Sequence, residues 1–167
     1  DVSPDVKAEG VRRLMQAQQV RTHLEGRTGS WGLVTAFIHG FKGALARNYP
    51  SVFEMDCDFS HNPEDLPRLP EACESGADVS IGSRYVQGVN VVNWPMSRVL
   101  LSYFASVYVR CITGMPIQDA TAGFKCYKGD HLAAIAFSKI HLLGDACTIE
   151  LKFRAGRYGL GAADAPV

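Results

Sequence analysis

Two aspartates one residue apart, Asp56 and Asp58, end the apolar run Val52-Phe53-Glu54-Met55, and residues of this type at this spacing can do metal chemistry. If the backbone stays extended across them, both carboxylates project to the same side. Carboxylates so close repel, and each is harder to ionise unless a cation intervenes. A divalent ion removes that cost, and hard oxygen ligands favour Mg²⁺ or Mn²⁺. Magnesium is commonly held by one or two carboxylates plus substrate phosphates, so a diphosphate-bearing ligand is a natural partner. Arg84, which follows Gly82 and Ser83 at the end of a second apolar run, could pair with the same phosphates. Each feature also has a plainer reading. A D-x-D pair can be an acidic turn, Arg84 a surface ion-pair residue, and His61 a loop hydrogen-bonder.

Helix and strand signals alternate around these residues. Ser3-Pro4-Asp5 reads as an N-cap, a first-turn proline and a first-turn acid, opening a helix to about Gln18. A short strand is expected over Val20 to Leu24. A helix with Val34, Phe37, Ile38, Phe41 and Leu45 on one face follows. Strand Ser51 to Met55 reaches the acidic pair, Pro63-Glu64-Asp65 starts another helix, and Asp78 to Ile81 is a strand leading into Arg84. A long helix from about Met96 to Ile112 is broken at Gly114-Met115-Pro116. A strand over Ala122 to Tyr127, helices over Gly129 to Phe137 and Cys147 to Tyr158, and a last strand near Ala163 complete the pattern. This alternation predicts an α/β fold with a parallel sheet, in which ligands sit beyond the carboxyl ends of strands. Asp56, Asp58 and Arg84 all fall at such ends.

Composition narrows the classes. The 167 residues fit a single domain, 1–167, and a hydrophobic content of 47% excludes a disordered chain. A formal net charge of zero gives no basic signature for nucleic acid. Five cysteines, at 57, 73, 111, 126 and 147, form no C-x-x-C and read as reduced thiols of a cytosolic protein. The apolar segment Val99 to Val109, between Arg98 and Arg110, has about half the length of a spanning helix of ~20 residues. A buried or surface-lying helix is expected there; for the whole helix from Met96 to Ile112, core packing is the expectation and contact with a bilayer surface the alternative.

Three separated blocks carry a family resemblance: FEMDCDFSHNPEDLPRL, GADVSIGSRYVQG and QDATAGFKCY. Together they closely resemble the polyprenyl-phosphate mannosyltransferases, the dolichyl-phosphate mannose synthase group of family 2 glycosyltransferases, which have the GT-A fold. SPDVKAEGVRRL and RTGSWGLVTAFIHGF look like two further segments of that family, so the resemblance covers essentially the whole chain.

The resemblance implies an enzyme that transfers mannose, with inversion, from GDP-mannose to a polyprenyl or dolichyl phosphate. It implies a divalent cation on Asp56 and Asp58, and Asp1 near the base or ribose of the nucleotide. Arg84 would steady the donor diphosphate or the leaving nucleotide, Arg98 would meet the lipid phosphate or the same charge cluster, and Asp119 would lie beside the reacting sugar with Lys125 as a nearby positive charge. Ser60 falls where some relatives carry a third ligand. It further implies a cytoplasmic protein, peripheral on the cytoplasmic face of the plasma membrane or endoplasmic reticulum. Read from the residues alone, Arg98 is equally a solvated helix-end residue and Asp119 a turn or capping residue.

The chain departs from the family pattern at several places. Relatives begin with a further strand bearing a V-I-P-T-Y-N-E motif, whereas this sequence opens at Asp1, so a GT-A-like domain lacking its first strand and truncated at both ends is expected. Val6, Ser30 and Val34 replace a glycine, a lysine and a glycine, and Gly156 stands where tryptophan is common. A fragment, a chain whose sheet a partner chain completes, and a degenerate nucleotide-sugar-binding module are therefore open alternatives, as is transfer of glucose or another hexose.

Overall fold

The computed structural model describes residues 32–56, 61–88, 94–135 and 145–167. Asp1, Cys57, Asp58 and Ser60, the helix opened at Ser3 and the strand over residues 20–24 lie outside the described residues. Within them the elements run α1 (Leu33–Ala46), β1 (Ser51–Glu54), α2 (Arg68–Glu74), β2 (Val79–Ser83), α3 (Met96–Thr113), β3 (Lys125–Lys128), α4 (Gly129–Ala134), α5 (Asp145–Arg157) and β4 (Ala162–Pro166). A single 3₁₀ turn, Pro63–Asp65, precedes α2, with the Asn62 side chain accepting from the Glu64 amide. Pro67 and Pro70 in this segment explain why the expected helix begins late. Gly114 ends α3 with φ +69, a left-handed conformation that glycine adopts without a Cβ penalty.

The strands form one open sheet in the order β1-β3-β2-β4. The α/β expectation holds, with one correction to strand direction. β2 and β4 are parallel, but β3 runs antiparallel to both neighbours, pairing Glu54 with Lys125 and Ile81 with Lys125. Strands β1, β2 and β4 thus share a direction and β3 opposes them. A parallel β3 would need the chain to return to the far edge of the sheet before entering it. Instead, the segment after α3 enters β3 at the edge where β1 and β2 end.

Alternation along the strands sorts side chains onto two faces. On one face Val52, Val79, Ile81 and Tyr127 pack with Val34 and Phe41 of α1, Leu132 of α4, and Cys147, Leu151 and Ala155 of α5. The Phe41 ring meets Tyr127 edge-on, with centroids 5.4 Å apart. On the other face Phe124 and Cys126 pack with Leu69 and Cys73 of α2, and the Ser80 hydroxyl donates to the Leu69 carbonyl at 2.7 Å. Among the described residues Cys73, Cys111, Cys126 and Cys147 are free thiols.

One charged pair sits inside the larger core. Lys125 has no exposed surface, and its Nζ lies 2.9 Å from Glu54 Oε1 without an aligned hydrogen bond. The Tyr127 hydroxyl reaches the other Glu54 oxygen at 3.4 Å. Lys125 therefore does not supply free positive charge beside Asp119, because its place in β3 directs it to Glu54 under the Phe37 ring. Removing one member strands a buried charge, which costs about 3–5 kcal/mol. Lys125→Met should lower stability by about that amount in urea denaturation, and Glu54→Leu with Lys125→Met should recover most of it.

Candidate functional site

The reversed direction of β3 assembles the site. Residues 118–124 lead into β3, so they lie at the edge where β1 delivers Asp56 and β2 delivers Arg84. Asp119 is fully buried, and both of its oxygens accept from one guanidinium. Arg84 Nε donates to Oδ2 at 2.6 Å and Nη2 to Oδ1 at 2.7 Å, while the Arg84 amide reaches Oδ2 at 3.2 Å. Such a two-point pair fixes the plane and direction of the arginine. Nη2 also donates to Thr121 Oγ1 at 2.9 Å and Ser102 Oγ at 3.4 Å. Nη1 has no partner among the described residues.

Burial shifts both groups, and pairing outweighs it. Burial alone would raise the Asp119 carboxyl, but the Arg84 hydrogen bonds and charge, with the Lys152 charge behind them, hold it below its ordinary 3.8. Burial alone would lower Arg84, and the hydrogen bond and charge of Asp119 raise it instead. With both oxygens committed, the Asp119 side chain faces Arg84 rather than an open space beside a ligand. Its geometry suits orientation, not proton transfer.

Ser102, which sequence reasoning passed over, ties α3 to this cluster. Its hydroxyl lies 2.9 Å from Thr121 Oγ1 and accepts from the Tyr85 hydroxyl at 2.9 Å. Its position four residues after Arg98 was the only signal in the sequence. Arg98 joins through Trp94, where its guanidinium stands 4.0 Å from the ring centroid and that of Arg84 stands 4.9 Å away. Arg98 is exposed and has no carboxylate partner among the described residues.

Asp56 approaches the same turn from the other end. A Cβ on Gly123 would lie 2.7 Å from Asp56 Oδ2, so the missing side chain is what admits the carboxylate. Asp56 remains about half exposed at 48%, with His61 Nε2 3.6 Å away from its Oδ2. His61 itself stacks on Phe124, consistent with a loop residue held in place. A half-exposed carboxylate with no arginine or lysine partner among the described residues, beside a glycine cradle, fits one oxygen ligand of a hard divalent ion. Among the described residues no group of three His, Cys, Asp or Glu side chains converges on such a point.

The open α/β sheet thus brings a carboxylate, Asp56, and an arginine, Arg84, to the carboxyl ends of its strands, where folds of this class bind their ligands. The comparison with known sequences is specific: the chain belongs to glycosyl transferase family 2, whose model matches residues 1–134. It is 40% identical over all 167 residues to a polyprenol monophosphomannose synthase of Mycolicibacterium smegmatis, of which it spans 63%. It is also 40% identical over 167 residues to an undecaprenyl-phosphate mannosyltransferase of Micrococcus luteus, spanning 68% of that protein. Over 145 residues, 84% of the chain, it is 37% identical to a dolichol-phosphate mannosyltransferase of Pyrococcus furiosus, spanning 39% of it.

Asp119→Asn should destabilise the fold by about 3–5 kcal/mol at neutral pH, because it leaves Arg84 without its counter-ion. A depressed carboxyl stabilises above its ordinary pKa and loses that contribution as pH falls through the folded value. The gap between the wild-type and variant urea midpoints should therefore persist down to pH 3.8 and close only below it.

Proposed function

We propose that the chain is the catalytic part of an inverting mannosyltransferase that moves mannose from GDP-mannose to a polyprenyl or dolichyl phosphate. The observation that carries this reading is the continuous cluster Asp56–Gly123, Asp119–Arg84, Trp94–Arg98, in a chain 40% identical to two polyprenyl-phosphate mannosyltransferases.

In this reading Asp56, together with Asp58, holds Mg²⁺ or Mn²⁺, which when bound neutralises the charge of the donor diphosphate. Arg84, locked by Asp119, turns its Nη1 edge, which has no partner among the described residues, toward that diphosphate and stabilises it as it leaves. Asp1 would lie near the nucleoside. Arg98, stacked on Trp94 and open to solvent, receives the phosphate of the acceptor. A phosphate monoester is largely ionised near neutral pH because its second pKa is about 6, so no strong general base is required. Its oxygen attacks the anomeric carbon as the bond to the diphosphate breaks, and an α-linked donor gives a β-linked mannosyl phosphate.

A lipid acceptor also needs access, and α3 supports it. Val99 and Ser106 face inward, whereas Met96, Leu100, Phe104, Tyr108 and Ile112, at four-residue spacing, are exposed together with Leu101. Core packing was expected for this helix, and it holds for Val99, which is buried, and for Val109, which packs against the core, but not for the exposed stripe. No helix among the described residues is long and apolar enough to cross a membrane. An amphipathic helix with Arg98 and Arg110 near its ends suits lying on an anionic bilayer at the cytoplasmic face.

Radiolabelled mannose should pass from GDP-mannose to polyprenyl phosphate in the presence of Mg²⁺ or Mn²⁺, and Asp56→Ala should abolish metal-dependent donor binding. Gly123→Ala should weaken donor binding while leaving the urea midpoint near wild type, since only the end of the Asp56 side chain must move. Unchanged metal-dependent binding in Asp56→Ala would reject the assignment. Vesicles containing anionic phospholipid should co-sediment the protein, and Leu101→Glu with Phe104→Glu should release it, with binding unaffected by this pair counting against α3 as the contact.

A further inference from the structure

The turn over residues 118–123 holds three of the site's contacts, yet it is irregular, and its backbone groups need partners outside a sheet ladder. Two charged side chains from the last part of the chain provide them. Lys152, on α5, is 1% exposed, and its Nζ donates to the carbonyl oxygens of Asp119 at 3.0 Å, Ala120 at 2.9 Å and Ala122 at 2.9 Å. These three bonds use every donor an ammonium has. From β4, Asp164 accepts from the Gln118 amide at 2.7 Å and the Asp119 amide at 3.5 Å. Carbonyls are gripped by a cation and amides by a carboxylate. Both residues lie beyond residue 134, where the family match ends.

We propose that Lys152 and Asp164 are positioning residues for the site, setting through the backbone of this turn where Asp119 clamps Arg84 and where Gly123 meets Asp56. Lys152 is within ion-pair distance of no carboxylate among the described residues, so carbonyl dipoles hold its charge. Burial pulls its pKa well below the usual lysine value, and the charge of Asp119 partly opposes this. An interior cation with no ion-pair partner is costly, and a hydrophobic side chain would fill the same space more cheaply. What the ammonium adds is a three-point grip on one short segment. The effect on catalysis rests on the function proposed above, whereas the effect on Arg84 does not.

The test uses Lys152→Met, which keeps length and packing but removes the donors, and Lys152→Arg, which keeps charge and donors. In nitrogen-15 spectra the Arg84 Nε–H, held in a 2.6 Å charge-assisted bond, should give a shifted, slowly exchanging signal. Lys152→Met should lose that signal and speed exchange of the Ala122 and Gly123 amides about ten-fold or more, while β2 amides stay protected. Lys152→Arg should restore both at least in part. Mannosyl transfer should fall about ten- to a hundred-fold in Lys152→Met, the scale of a small misplacement of binding groups. An intact Arg84 signal and unchanged exchange in folded Lys152→Met overturn the proposal. If Lys152→Met does not fold, Asp164→Asn takes its place, with the same losses expected and their absence equally decisive. Should the wild-type protein transfer no mannose, the function reading fails and the spectroscopic readouts still judge this one.

Discussion

The bond between Arg84 and Asp119 is the constraint around which the site is built. A buried carboxylate stays ionised only if a cation and hydrogen bonds repay its lost hydration. Arg84 supplies both in a planar, two-point geometry, and in doing so loses its own freedom. Everything else at this edge refers to that fixed guanidinium. Thr121 and Ser102 take its remaining Nη2 hydrogen-bonding capacity, Trp94 and Tyr85 lie against it, and among the described residues only Nη1 is left open. A mobile surface arginine would pay rotamer entropy each time it met an anion, and this one has already lost that freedom in folding.

The pair exists because β3 runs against its neighbours. Were β3 parallel to β1 and β2, the residues before it would lie at the opposite edge, a strand length away from Arg84. Antiparallel entry instead places residues 118–124 between the carboxyl ends of β1 and β2, where the missing Cβ of Gly123 lets Asp56 close on the same turn. Lys152 and Asp164 then hold the turn's backbone from behind. α3 has two duties on two faces. Ser102 binds the clamp on one side, and an apolar stripe faces outward on the other. A helix so divided links a charged site to an apolar surface over the width of one helix, about 10 Å.

The sequence by itself determined the element types, the strand-end location of Asp56 and Arg84, and the family-like blocks. Helical periodicity marked α1 through Val34, Phe37, Ile38, Phe41 and Leu45, and Pro and Gly signals marked where α3 begins and ends. These are local properties, fixed by side-chain spacing along one segment. Strand direction was not legible, because period-two alternation is the same whichever way a strand runs. Only the tertiary structure decided that Asp119 and Arg84, which are 35 residues apart, form one unit. It likewise directed Lys125 into the core against Glu54, left the α3 stripe exposed, and aimed Lys152 at three carbonyls. Each depends on what faces a side chain across space, and composition and spacing along the chain do not contain that information.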